Sequence, residues 1–325
     1  MSRLKKEMGI SEKLLASLNE NKIFTVLDYL QEDSEKLSSA CNTSFKVILE
    51  VKHNLITNLS ALPIHGMSAY ENLLSSSALI PSGIESLDAL LQGGFLTGMV
   101  IELCGLSGDG KTQLCFTISA HVAAALKQSV HYIDTKGDFS AQRVLGIIKH
   151  KNIPEEECAA ALERIQVTRI SDIYELLRFL HHLKSCLGED ESIPPRVVIV
   201  DSVPPLYFPF MASDTNQGFG LLNNMMSMMK VMATEYHILF IVVNLASTFV
   251  EAEVCDNEAA EDNRDATTSD VRPMLGKYWL HAPNMRLLVS KLNSEAAQRL
   301  IRVTKSTYLQ TGASCIVCVS EKGVV

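Results

Sequence analysis

Long apolar runs are missing from this sequence: none approaches the ~18 residues that a membrane-crossing helix needs, so no membrane partner is expected. The first ten residues carry Arg3, Lys5 and Lys6 without a following apolar block, which argues against a secretory leader. A soluble intracellular protein is expected. Aromatic residues make up only 6% and there is one tryptophan. Basic residues are also short: 29 Lys and Arg stand against 37 Asp and Glu, a net charge of −8. A general nucleic-acid coat needs the opposite sign on its surface. The eight cysteines are scattered, which excludes a disulfide framework. Cys315 and Cys318 have zinc-like spacing. They fall in a β-like run where residues three apart face opposite sides, and no second pair completes four ligands.

What is present is enough apolar material for a large core, 47% of 325 residues. Residues 1–60 read as a small helical domain. Ser11 is placed to cap a helix holding Leu14, Leu15 and Leu18. Ile23, Val26, Leu27 and Leu30 follow at helical spacing, and Thr43 or Ser44 opens a segment with Val47, Ile48, Val51 and Leu55. Acids and bases balance there, eight of each. Residues 61–81, with Pro63, Gly66, Ser75–Ser77 and Pro81, read as a linker. From residue 82 to 325, apolar β-like runs alternate with helical stretches. The strands expected are 99–104, 129–134, 164–168, 197–201 and 238–243, and the helices 113–126, 172–187 and 221–236. That alternation predicts an α/β domain, a mostly parallel sheet covered on both faces. The segments 285–292, 299–305 and 313–320 read as successive antiparallel strands.

Chemistry enters at Gly105-Leu-Ser107-Gly108-Asp-Gly110-Lys111-Thr112, which fits G-x-x-x-x-G-K-[ST] between a strand and a helix. The glycines let backbone N–H groups approach phosphate oxygens. Lys111 is expected on the β- and γ-phosphates and Thr112 on Mg²⁺, with Gln113 opening a helix whose N-terminus favours anions. The run Val197-Val-Ile-Val-Asp201 ends in a carboxylate suited to the Mg²⁺ shell. ATP and Mg²⁺ are the cofactors expected.

The run Ser82-Gly-Ile-Glu-Ser-Leu-Asp-Ala-Leu-Leu-Gln-Gly-Gly94, then Thr97-Gly98 and Glu102, resembles the lead-in to the phosphate loop of the RecA/RadA recombinase class. Tyr132-Ile-Asp134-Thr135, Phe139 and Arg143 resemble its segment after the second strand. The linker Ala61-Leu62-Pro63 with Tyr70-Glu71, the segment 163–167, and Lys305-Ser306 with Thr311-Gly312 are similar to its D-type paralogue group. The resemblance implies a RecA-like core behind a helical domain. It also implies a nuclear role in homologous-recombination repair of double-strand breaks and crosslinks. Implied partners are the C-type paralogue through the core and a small second paralogue through the N-terminal region and linker. Leu62, Ile64 or Tyr70 is a candidate linker anchor, with an ordinary linker residue the preferred reading for each. Arg143 matches an adenine-stacking arginine of the family; a helix-surface arginine is the other reading.

Three departures qualify the resemblance. Lys136 stands where active members hold the glutamate that orients the attacking water. An ammonium cannot take that proton at neutral pH; a γ-phosphate contact and an exposed turn lysine both stay open. Leu245 stands where a glutamine links the γ-phosphate to the DNA loop, and leucine has no hydrogen-bonding group. Ser306-Thr307-Tyr308 replaces the family's adenine-capping Asp-Ser-Pro. No catalytic residue is assigned on this basis.

The two DNA loops of the family would fall near 203–217 and 247–272. The first has no Lys or Arg; its Tyr207, Phe208 and Phe210 suit base stacking or apolar packing on a partner, the second reading preferred. The second carries eight acids from Glu251 to Asp270 against Arg264 and Arg272, a net of −6. Such a stretch is expected to be solvated and to repel a phosphate backbone; a docking segment for a basic partner surface is the other, less favoured reading. Single-stranded DNA binding by the chain alone is expected to be weak. Two functions compete: an ATP-clamped assembly subunit, and a DNA-stimulated ATPase that drives strand exchange.

Overall fold

The computed structural model describes residues 10–60, 63–151, 153–187, 194–211, 217–249, 270–292 and 297–325. The chain divides into two compact units, Met1–Leu74 and Ser75–Val325.

The first unit is helical: α1 (Glu12–Glu20), α2 (Val26–Gln31), α3 (Ser34–Ala40) and α4 (Phe45–Leu59). Ser11 caps α1 by accepting from the Leu14 amide at 3.3 Å, as the sequence predicts. Thr25 and Asp28 form a reciprocal capping box on α2. Leu14, Leu15, Leu18, Tyr29, Leu37, Ile48, Val51 and Leu55 make the core. Leu27 and Val47, expected inward, are exposed. α3 goes unpredicted because Leu37 is its one buried residue, which leaves no period to read. The stretch expected as linker carries a helix, α5 (Gly66–Ser76), with no buried residue. Ile64 and Tyr70 are exposed there, and Leu62 lies outside the described residues.

The second unit opens with β1 (Leu79–Ile80), paired antiparallel to β2 (Phe95–Leu96), with α6 (Glu85–Leu90) between them. The main sheet holds β3 (Val100–Gly105), β4 (Val130–Asp134), β5 (Ile165–Arg169), β6 (Val197–Asp201), β7 (Leu239–Phe249), β8 (Asp270–Pro273), β9 (Met285–Lys291), β10 (Gln298–Lys305), β11 (Ser314–Ser320) and β12 (Gly323–Val324). Its order is β12-β11-β10-β9-β3-β7-β6-β4-β5, with β8 beside β7. The strands from β9 to β5 are mutually parallel, and β10, β11 and β12 extend the sheet antiparallel. Every residue of β3 and β6 is buried, as a strand covered on both faces requires.

Two apolar layers flank the sheet. One packs α7 (Lys111–Ala124), α8 (Ala141–Lys149) and α9 (Glu155–Glu163) against Ile101, Leu103, Tyr132 and Ile199. The other packs α10 (Ile173–Leu187), α11 (Val203–Met211), α12 (Gln217–Tyr236) and α13 (Gly276–His281) against Val100, Val198, Val200 and Val242. Ile173, Leu176, Leu177 and Leu180 of α10 face that layer, each worth about 1.5–3 kcal/mol when fully buried. The α/β expectation holds.

α11 falls where a DNA loop was expected. Pro204 and Pro205 occupy its first turn, where no intrahelical N–H is lost. Tyr207 is buried with Val203 and Leu206, and the Phe210 ring meets Tyr174 edge-on at 5.9 Å. These rings serve the chain's own core, which corrects the expected partner contact; Phe208 alone of the three is exposed. Apart from Asp270 at the start of β8, the acidic run from Glu251 lies outside the described residues.

Candidate nucleotide site

β3 delivers the phosphate loop to the carboxyl edge of the sheet. Gly105 pairs with Leu245 of β7. A Cβ on Gly105 would sit 2.3 Å from the Val289 carbonyl oxygen, so β9 closes on the loop only because this residue is glycine. Gly110 caps α7 in the left-handed region at φ 95°. The Asp109 carboxylate accepts the Leu106 amide at 2.7 Å, and the Arg299 Nε donates to the Asp109 carbonyl at 3.0 Å. The loop is therefore fixed from inside and from β10.

Lys111 is buried, and its ammonium donates to the carbonyls of Gly105 at 2.8 Å and Leu106 at 2.6 Å. Burial pulls its pKa below the ordinary value; Asp109 opposes this and the Lys136 charge reinforces it. Thr112 Oγ1 donates to Asp201 Oδ2 at 2.7 Å, and the Tyr132 hydroxyl donates to the same oxygen at 2.8 Å. Burial holds that phenol protonated, well above its usual pKa, so it is a fixed donor. The other carboxylate oxygen, Asp201 Oδ1, is buried and accepts no hydrogen bond from the described residues. Asp201 and Thr112 thus form an oxygen donor pair with a buried orphan lone pair, which fits a hard divalent cation.

Across the cleft, Asp134 ends β4 and organises the next loop. Its Oδ1 accepts the amides of Lys136, Gly137 and Asp138 at 3.2, 2.8 and 3.2 Å, and its Oδ2 accepts that of Phe139 at 3.1 Å. Thr135 locks this loop to the end of β6: its Oγ1 donates to the Ser202 carbonyl at 2.7 Å and accepts the Ser202 amide at 2.8 Å. Lys136 Nζ consequently lies 3.6 Å from Asp201 Oδ1 and 3.9 Å from Asp138. The Asp201 pairing dominates, because Asp201 is buried and Asp138 mostly exposed. Gross Coulomb attraction is about 4–5 kcal/mol at an effective dielectric of ~20, against roughly 1 kcal/mol in water.

Ser107, Gly108, Gly110, Lys111, Thr112 and Gln113 line one open cleft of about 250 Å³ together with Lys136 and Leu245. All but three of the residues predicted from sequence meet there. Gly105 lies at the base of the loop, and Asp201 behind Thr112 and Lys136. Arg143 stands to one side: its Nε donates to Gln113 Oε1 at 2.9 Å, and its other nitrogens to the carbonyls of Glu321 and Ser320.

Sequence reasoning missed a network below the cleft. Glu102 is fully buried and accepts from Asn244 Nδ2 at 2.7 Å and from Arg286 Nε. Arg286 also donates to the Trp279 carbonyl at 3.1 Å. The three polar side chains tie β3, β7 and β9 together beneath the phosphate loop. Tyr132 and Asp134 were quoted only for resemblance; the Asp134-x-x-Gly137 turn signature was the available signal for the second.

Residues 75–325 match the Rad51 family model, and residues 1–58 match the model described as RAD51D, N-terminal domain. The chain is 33% identical over 310 residues to DNA repair protein RAD51 homolog 4 of Bos taurus, covering 94% of this chain and 90% of that one. The Mus musculus counterpart is 31% identical over 322 residues, covering 97% and 93%. The crystal structure of the RadB recombinase superposes with a TM-score of 0.59 at 22% identity, over 76% of this chain and 98% of that one, which supports the RecA-like fold.

Proposed function

This chain belongs to the Rad51 family, and from that premise we propose that it serves homologous-recombination DNA repair as an ATP-binding assembly subunit rather than as a strand-exchange motor. The observation that carries this is the asymmetry of the cleft. The residues that grip a triphosphate are complete, while the position of the water-orienting glutamate holds Lys136, tethered to Asp201.

Bound Mg²⁺-ATP would supply the negative charge that the cleft lacks and the divalent charge that Asp201 and Thr112 suit. Lys111 and the amides at the start of α7 bind phosphate oxygens. Thr112 and Asp201 hold the metal side, with Tyr132 fixing the carboxylate. Lys136 cannot take a proton from water while charged, and Leu245 offers no hydrogen bond to carry nucleotide state toward the DNA loop. Hydrolysis is therefore slow, and nucleotide acts by favouring the bound, assembled state. Partners in this reading are other recombinase paralogues, C-type through the core and a small second paralogue through the helical unit and linker. Single-stranded DNA is held weakly without them, and the site of action is nuclear.

The test is steady-state ATP turnover of the purified chain with and without single-stranded DNA, beside Lys136→Glu. Slow turnover that DNA leaves unchanged is expected. Strong DNA-stimulated turnover by the wild type would replace this reading with the active ATPase.

A further inference from the structure

The Lys136 ammonium faces the one oxygen of Asp201 that accepts no hydrogen bond from the described residues, at 3.6 Å, and the same side chain lines the phosphate cleft. Its placement is built rather than incidental. Asp134 accepts four consecutive backbone amides of this loop, and Thr135 is bolted to Ser202. Gly137 takes the left-handed conformation, φ 82°, that this turn requires. Lys111, by contrast, is spent on its own loop's carbonyls until an anion arrives.

We propose that Lys136 is a built-in counter-ion for the metal-side carboxylate Asp201, so that this chain holds a nucleoside triphosphate with little dependence on free magnesium. The inference rests on the ATP-binding reading above and deepens it. An ordinary site needs a divalent cation for two reasons: to neutralise the buried carboxylate and to offset the phosphate charge beside it. Here a tethered ammonium does the first before any ligand enters, and it stands on the cleft wall where it contributes to the second. The same positive charge disfavours a divalent ion at Asp201, so metal affinity falls as metal dependence falls.

The experiment is an equilibrium titration of the full chain with a fluorescent ATP analogue, in magnesium buffer and in EDTA. Wild type, Lys136→Met and Lys136→Arg are compared. Removing magnesium is expected to weaken wild-type binding by less than about tenfold, and Lys136→Met binding by well over tenfold. Lys136→Arg, which keeps the charge, should follow the wild type. A wild-type loss of about tenfold or more overturns the proposal with no variant needed. Equal losses in wild type and Lys136→Met overturn it too. Absence of binding in both buffers sinks the ATP-binding reading itself, so the two failures are distinguishable.

Discussion

The two walls of the cleft are built by different rules. On the phosphate-loop wall, conformation is set by glycine geometry and by backbone partners: Gly105 beneath Val289, Asp109 on the Leu106 amide, Lys111 on two carbonyls. On the facing wall, conformation is set by side chains: Asp134 collecting amides, Thr135 clamping Ser202, Lys136 reaching Asp201. On the first wall, Gly105 and Gly110 cannot take a side chain without moving the backbone. The second fixes a backbone that presents Lys136 to the cleft, while the other departure, Leu245, stands on β7 beside Gly105. The separation teaches that the phosphate loop and the loop facing it are held by independent contacts, so that a change in one need not disturb the other.

The largest effect should come from beneath the first wall. Glu102→Ala leaves Arg286 buried without its carboxylate, which costs about 3–5 kcal/mol. A thermal melt should show the Ser75–Val325 unit unfolding roughly 10 °C lower. If the melt is unchanged, the network is not what holds β3 to β9, and the rigidity ascribed to this wall needs another source.

Next in size is Lys111→Ala. Loss of a charged donor to phosphate should weaken ATP binding by about 100-fold in calorimetry. A pull-down of the recombinase paralogues should weaken with it; undiminished association would show that assembly does not need the nucleotide. The facing wall should give a smaller and opposite response. Lys136→Glu combined with Leu245→Gln restores both missing groups. Turnover is expected to rise by roughly tenfold, the low end of general-base contributions being reduced by imperfect placement. No rise would mean that the cleft lacks more than these two side chains.

How far the two walls were legible differs as much as their construction. The first is written in eight consecutive residues, and the run Val197–Asp201 announces its own strand and carboxylate. The alternation of apolar runs gave the parallel sheet because strands buried on both faces leave a continuous signal. The second wall was legible mainly as departures, since the Asp134-x-x-Gly137 spacing marks a turn without revealing that one carboxylate collects four of its amides. The Glu102–Asn244–Arg286 network was not legible at all: its members are 142 and 184 residues apart and meet only through strand order. α11 was hidden for a different reason. Pro204 and Pro205 signal a turn in sequence, yet in the first turn of a helix they cost no hydrogen bond, and Pro209 lies inside the same helix.

The smallest prediction separates the walls by acidity. His131 lies on β4, three residues before Asp134, with Nε2 at 2.8 Å from Thr168 Oγ1 and its ring against Phe179 at 4.7 Å. Burial lowers its pKa from 6.5 to about 4. The folded chain therefore refuses a proton that the unfolded chain accepts, and the stability this gives is present above the unfolded value. It is lost as pH falls from about 6.5 toward 4. At pH 5.5 the loss is about 1 kcal/mol, since the unfolded histidine is by then mostly charged. Denaturant titrations at pH 7.5 and 5.5 should show this difference, and His131→Phe should remove it. Because β4 carries the Asp134 loop, hydrogen exchange of the 136–139 amides should quicken at pH 5.5 relative to those of α7, after correction for intrinsic rates. An equal change on both walls would mean that the second wall is as firmly held as the first.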